Sequence, residues 1–217
     1  MTIHAVTDPH VAAPRVPYQR SRELPMAKLK IIIASTRPGR IGRTLGEWFE
    51  NHAKEHGGFD DIELLDLAEV DLPFMNEPHH PRLGTYTHQH TRDWSAKVAE
   101  ADAFVFVMPE YNFGYNAELK NAIDYLHREW QYKPVGLVSY GGVSAGTRAA
   151  QMIKQVLTTL KMTPVVESVS IPFVHQLIDE EEGLVANDVM TGSATAMLDE
   201  LVRVEAALRA LRSTTKA

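Results

Sequence analysis

The chain has 217 residues, 44% hydrophobic and 23% charged, with a formal net charge of -6 and a pI near 5.9. That length suits one domain with a sizeable core, and a mildly acidic balance argues against non-specific nucleic-acid binding. The absence of cysteine excludes disulfides, thiolate catalysis and cysteine-based metal sites. No apolar run approaches the ~18 residues of a membrane span, and the N-terminus lacks a signal-peptide core. The expectation is a cytoplasmic protein with no membrane partner.

Residues 1–26 are punctuated by Pro9, Pro14, Pro17 and Pro25 and show no hydrophobic period. They read as a flexible arm ahead of a domain at 27–217. The first strand spans 29–34, where Ile31, Ile32 and Ile33 form a β-branched run typical of a strand buried on both faces. A helix follows over 41–55. A second strand covers 62–67, a long loop rich in Pro and His covers 71–90, and a helix covers 91–101. The run AlaPheValPheValMet at 103–108 is a second strongly buried strand, followed by a helix at 117–126. Further along come a strand at 135–140, an amphipathic helix at 146–161, a last strand at 165–171 and a closing helix at 194–211. GluGluGlu at 180–182 reads as a solvated loop. Trp130 fits either the core or a subunit interface.

Helix-length crossovers between buried strands imply parallel pairing and right-handed connections. Five strands then form a three-layer α/β sandwich of order 2-1-3-4-5, the flavodoxin-like arrangement. In such sheets ligands sit beyond the carboxyl ends of the strands, at the switch point between strands one and three.

Three loops leave those strand ends. The first, SerThrArgProGlyArgIleGlyArgThr at 35–44, opens a helix. Free backbone N–H groups and the helix dipole favour an anion there. Ser35 and Thr36 offer hydroxyls, and Arg37 and Arg40 offer forked, charge-assisted bonds to phosphate. Arg43, one turn into the helix, points to solvent. The glycines fit neither Gly-x-Gly-x-x-Gly nor a P-loop, so a dinucleotide or a triphosphate is a poor match. A mononucleotide phosphate suits the segment better; a solvated basic turn is the bland alternative. The second loop, MetProGluTyrAsnPheGlyTyrAsn at 108–116, offers Tyr111, Phe113 and Tyr115 as flat surfaces and Asn112 and Asn116 as hydrogen-bonding groups. The third, SerTyrGlyGlyValSerAlaGlyThrArg at 139–148, gives a backbone shelf at Gly141 and Gly142. Arg148 can pair with Glu110 or meet a second phosphate. Together the three loops describe FMN better than any one of them does.

SerThrArgProGlyArg, ProGluTyrAsn, and SerTyrGlyGly with GlyThrArgAla resemble the NADPH-dependent FMN reductase family, over about 28–211. The resemblance implies non-covalent FMN, NADPH or NADH as co-substrate, and a small-molecule acceptor: a quinone, a flavin, an azo compound or a metal oxyanion. It also implies a homodimer or homotetramer. By motif, Ser35, Arg37, Arg40, Ile41 and Gly42 would hold the FMN phosphate. Pro109, Glu110, Tyr111 and Asn112 would line the isoalloxazine, with Gly141 and Gly142 on the adjoining wall. The family implies no obligatory catalytic side chain. A flavodoxin-like electron carrier that does not oxidise NAD(P)H is the competing function, and a non-flavin phosphate-binding domain a weaker one. His79, His80, His88 and His90 crowd one loop. A proline-broken loop is a poor frame for zinc, so no metal is expected.

Overall fold

A computed structural model describes residues 27–179 and 183–214. The arm expected at 1–26 and the acidic loop expected at 180–182 lie outside the described residues. Five strands, β1 (Lys28–Ile33), β2 (Asp61–Asp66), β3 (Ala103–Pro109), β4 (Pro134–Tyr140) and β5 (Thr163–Ile171), form one sheet of order β2-β1-β3-β4-β5. Every neighbouring pair is parallel, with Ile31 of β1 opposite Leu64 on one side and Val105 on the other. This is the expected order and fold.

The helices are α1 (Gly42–His56), α2 (Leu67–Val70), α3 (Gln89–Ala99), α4 (Ala117–Asp124), α5 (Thr147–Thr159) and α6 (Asp188–Thr214). Side chains that alternate along the central strands feed two separate cores. Leu29, Ile31, Val105 and Val107 pack with Leu45 and Phe49 of α1 and Leu198 and Leu201 of α6. Ile32, Phe104, Phe106 and Leu137 pack on the other face with Trp94, Leu119, Ile153 and Leu157. Strands buried on both faces explain why their sequences are continuous apolar runs.

Several expectations need adjustment. Trp130 is fully buried, 5.0 Å from the Phe104 ring centre and 6.1 Å from Trp94, so it belongs to the core and not to a subunit interface. The closing helix begins six residues early, because Asn187 Oδ1 accepts the Met190 N–H at 3.0 Å and caps it there. A two-stranded hairpin, β6 (Ile178–Asp179) with β7 (Gly183–Leu184), precedes it and was not expected. The loop at 71–88 is firmly tied. Asn121 Nδ2 and the Tyr125 hydroxyl donate to Pro73 O, and Glu77 accepts the Thr87 and His88 N–H groups. No helix among the described residues is long and apolar enough to cross a membrane.

Candidate functional site

The carboxyl ends of β1, β3, β4 and β5 open onto one cleft of about 350 Å³, within the ~300–1,000 Å³ range of small-molecule sites. Ser35, Arg37, Arg40 and Ile41 line it from the β1–α1 turn. Pro109, Glu110 and Tyr111 line it from β3, and Tyr140, Gly141 and Gly142 from β4. Of the expected site residues only Gly42 and Asn112 are not on its wall.

Gly42 lies directly beneath that wall. A Cβ there would stand 2.8 Å from the Tyr140 hydroxyl, so only glycine lets α1 start this close to β4. The helix has no side-chain N-cap bond and no acidic residue in its first turn. Its leading amides therefore keep their unmet demand for an acceptor, and its dipole is not offset locally. Arg37 is exposed and makes no ion pair among the described residues. Arg40 differs: its Nη2 donates to Asp66 Oδ2 at 2.6 Å, and that carboxylate is buried. Arg43 also reaches Asp66, at 3.4 Å, and pairs with Glu47 and Glu69, so it is held on the surface instead of standing free in solvent.

On the opposite wall only Tyr111 of the three expected aromatics faces the cleft. Its hydroxyl and Ser35 Oγ share a hydrogen bond of 2.8 Å. Phe113 turns outward, with the Arg148 guanidinium 3.7 Å from its ring centre. Tyr115 packs against the α3–α5 core. Asn116 is structural, donating from Nδ2 to Ala34 O at 2.7 Å. Glu110 presents its backbone to the cleft, because its carboxylate is turned to α5. There it accepts Ser144 Oγ at 2.9 Å and the Arg148 N–H at 3.1 Å, and lies 2.7 Å from Arg148 Nε. Of the two roles open to Arg148, the structure shows the pair with Glu110.

The glycine shelf is held by the segment after β5. Phe173 N–H donates to Gly142 O at 3.1 Å, Val174 N–H to Gly141 O at 3.2 Å, and Gly141 N–H to Ile171 O at 3.2 Å. Gly146 makes the next turn possible. Its φ is +75°, and a Cβ there would meet the Tyr140 backbone nitrogen at 2.6 Å.

Sequence reasoning missed five cleft residues: Tyr140, Phe173, Val174, His175 and Gln176. Tyr140 sits inside the quoted SerTyrGlyGly, overshadowed by its glycines. The other four follow the carboxyl end of β5, where the strand-end rule applies as it does to β1, β3 and β4. The loop histidines bond within the protein. His88 and His90 stack at 5.1 Å and bond to Asn76 O and Oδ1. Among the described residues no group of three or more His, Cys, Asp or Glu is placed to hold a metal ion.

A sequence model of NADPH-dependent FMN reductases matches residues 27–176. The chain belongs to this family. An NAD(P)H-dependent FMN reductase of Schizosaccharomyces pombe is 42% identical over 149 residues, spanning 67% of this chain and 74% of that protein. An NAD(P)H:quinone oxidoreductase of Solanum tuberosum is 33% identical over 135 residues, 61% of this chain and 68% of that one. Among solved structures, the flavoenzyme NAD(P)H:(acceptor) oxidoreductase FerB of Paracoccus denitrificans superposes with a TM-score of 0.68 at 19% identity, covering 84% of this chain and 98% of that one. That likeness concerns the fold.

The cleft also fits the family's flavin on its own chemistry. Its α1 end carries Arg37, a helix start with no side-chain cap bond and two buried polar atoms with no partner among the described residues, Arg40 Nε and the Tyr140 hydroxyl. Such groups call for an anion. Its other end is an aromatic ring facing bare backbone.

Proposed function

We propose that this cleft holds FMN, with the phosphate at the start of α1 and the ring between Pro109–Tyr111 and the Gly141–Gly142 shelf. The protein then works as an NAD(P)H-dependent FMN reductase that delivers electrons to a small acceptor such as a quinone or an azo compound. The observation that carries this reading is the joining of an anion-seeking end and a flat, backbone-walled end in one cleft.

Bound FMN supplies the redox chemistry, accepting two electrons from NAD(P)H and passing them on. The chain supplies placement. Arg37 and Ser35 anchor one end. Pro109 fixes the exit of β3, and the Glu110 N–H donates to Tyr140 O at 3.0 Å, which holds the two walls in register. Phe173, Val174, His175 and Gln176 complete the mouth, where the nicotinamide and then the acceptor would enter. Relatives named for quinone and azo substrates support the small-molecule acceptor. A dimer or tetramer belongs to the same reading.

The test is anaerobic mixing of FMN-loaded protein with NADPH. Bleaching of the flavin absorbance, followed by reoxidation on adding a quinone, is expected. Flavin that stays oxidised for minutes would instead make the protein an electron carrier.

A further inference from the structure

The Tyr140 hydroxyl is the least expected group in the cleft. The residue is 6% exposed, and among the described residues its oxygen makes no hydrogen bond of ordinary geometry. The Ser35 hydroxyl is near enough to favour the ionised phenol, but its well-formed bond, at 2.8 Å, is to Tyr111. A buried hydroxyl without a partner is costly and uncommon, and asks for an explanation. Phenylalanine would fill the same space without that cost. The surroundings say what the hydroxyl is for. Gly42, the first residue of α1, lies against it, and Arg37 and Arg40 are near enough to act on it electrostatically. Burial pushes the phenol well above the usual tyrosine value, with Tyr111 adding to the rise and Ser35, Arg37 and Arg40 opposing it. The group therefore stays protonated and keeps a proton to donate.

We propose that Tyr140 reads the phosphate of the flavin: its hydroxyl donates to a phosphate oxygen, and Ser35 transfers its hydrogen bond from Tyr111 to the same phosphate when FMN seats. This rests on the FMN reading above. Tyr140 thereby separates FMN from riboflavin, which lacks the phosphate. The incoming phosphate satisfies both hydroxyls at once. The transfer leaves the Tyr111 ring beside the isoalloxazine with its hydroxyl free to meet solvent.

The experiment uses flavin-stripped full-length protein, titrated with FMN, with riboflavin and with inorganic phosphate, for wild type, Tyr140→Phe and Tyr111→Phe. Flavin fluorescence quenching reads the first two ligands, and the shift in Tm reads phosphate. Tyr140→Phe should raise the Kd for FMN about tenfold or more, a loss of at least ~1.4 kcal/mol, and leave riboflavin unchanged. It should blunt the Tm rise that phosphate gives wild type. It should also leave the ligand-free Tm equal to or above that of wild type, because the orphaned hydroxyl is gone. A merely structural tyrosine would not combine a firmer fold with weaker phosphate binding. Tyr111→Phe should lose no more affinity for FMN than for riboflavin. If wild type prefers FMN over riboflavin and Tyr140→Phe keeps that preference, the role of Tyr140 is refuted and the FMN reading stands. If wild type shows no preference for FMN, both fall.

Discussion

Replacing Gly42 with alanine tests the packing beneath the phosphate end of the cleft. The added Cβ would lie 2.8 Å from the Tyr140 hydroxyl, 3.4 Å from Ile33 Cγ2 and 3.7 Å from Ser35 Cβ. Only the first contact is prohibitive. The hydroxyl cannot simply swing aside, since it caps a rigid ring buried at the end of β4. Overpacking of this kind typically costs ~1–3 kcal/mol. Alanine in a helix interior gains at most ~1 kcal/mol over glycine, and less at a first helical position. The expected net loss is about 1–2 kcal/mol in urea denaturation of the flavin-stripped protein, with an unchanged m-value. The double variant Gly42→Ala/Tyr140→Phe removes the one atom that clashes. It should return to within ~0.5 kcal/mol of Tyr140→Phe alone, a coupling of about 1 kcal/mol. Effects that add within ~0.3–0.5 kcal/mol would mean that Gly42 is not glycine because of Tyr140, and the geometry assigned to this end of the cleft would be refuted.

Arg37→Ala should weaken FMN about tenfold and leave riboflavin binding and Tm unchanged. Arg40→Ala should lower Tm as well, because Asp66 would lose its partner at 2.6 Å; equal Tm values for the two variants would contradict that division. Glu205→Leu should cost about 3 kcal/mol. It removes the buried carboxylate that Arg209 and Arg212 both grip, and breaking one side of a buried pair costs ~3–5 kcal/mol. Chemical denaturation would read the loss, and a change under 1 kcal/mol would rule the pair out as a staple. Burial pushes the Glu77 carboxyl up, but the Thr91 hydroxyl, the Thr87 and His88 amides and the His88 charge outweigh it and hold the group at about 2. A depressed carboxyl stabilises above its unfolded value and loses that contribution as pH falls from about 4.5 to about 2. Hydrogen exchange at Thr87 and His88 should accelerate over that window, and Glu77→Gln should abolish the acceleration. An identical pH response in the variant would assign it to another group.

The fold was legible because its strands are written in one unambiguous pattern. Ile31–Ile33 and Phe104–Met108 are apolar runs rich in β-branched or aromatic residues, typical of strands covered on both faces, and helix-length gaps between them imply parallel pairing. The β1–α1 part of the cleft wall was legible because Ser35, Arg37, Arg40 and Ile41 follow one another at the start of a single helix, whereas Tyr140 comes from a different strand. What escaped was tertiary. The role of Arg40 depends on Asp66, 26 residues away. Glu110 turns its charge to α5, and the His-rich loop is fixed by Asn121 and Tyr125 from a different helix. The early start of α6 could have been read, since Asn187 followed by Asp188 is a capping signal. Its apolar period only becomes regular further along, which hid the first turns.

The two ends of the sheet place their charges differently. At the amino ends the charges are closed on themselves. Asp102 accepts the Lys28 N–H at 3.0 Å and pairs with Arg212, which also donates to Tyr132 O and reaches Glu205. At the carboxyl ends the chain accepts local costs. Asn112 and Phe113 hold φ values of 48° and 72° in a tight turn closed by Tyr111 and Gly114, a conformation that favours glycine. Each such residue costs on the order of 1–3 kcal/mol, and the Arg148 stack on Phe113 offsets only part of it. The turn aims Tyr111 into the cleft and Phe113 away from it, and Glu110 is locked to α5 beside it. The orphaned Tyr140 hydroxyl and Arg40 Nε lie in the same cleft, although left-handed residues occur elsewhere too, at Tyr132 and Lys161 ahead of β4 and β5. A phosphate that accepts from the Tyr140 hydroxyl and Arg40 Nε would satisfy both, and FMN should stabilise the protein by RT ln(1 + [L]/Kd).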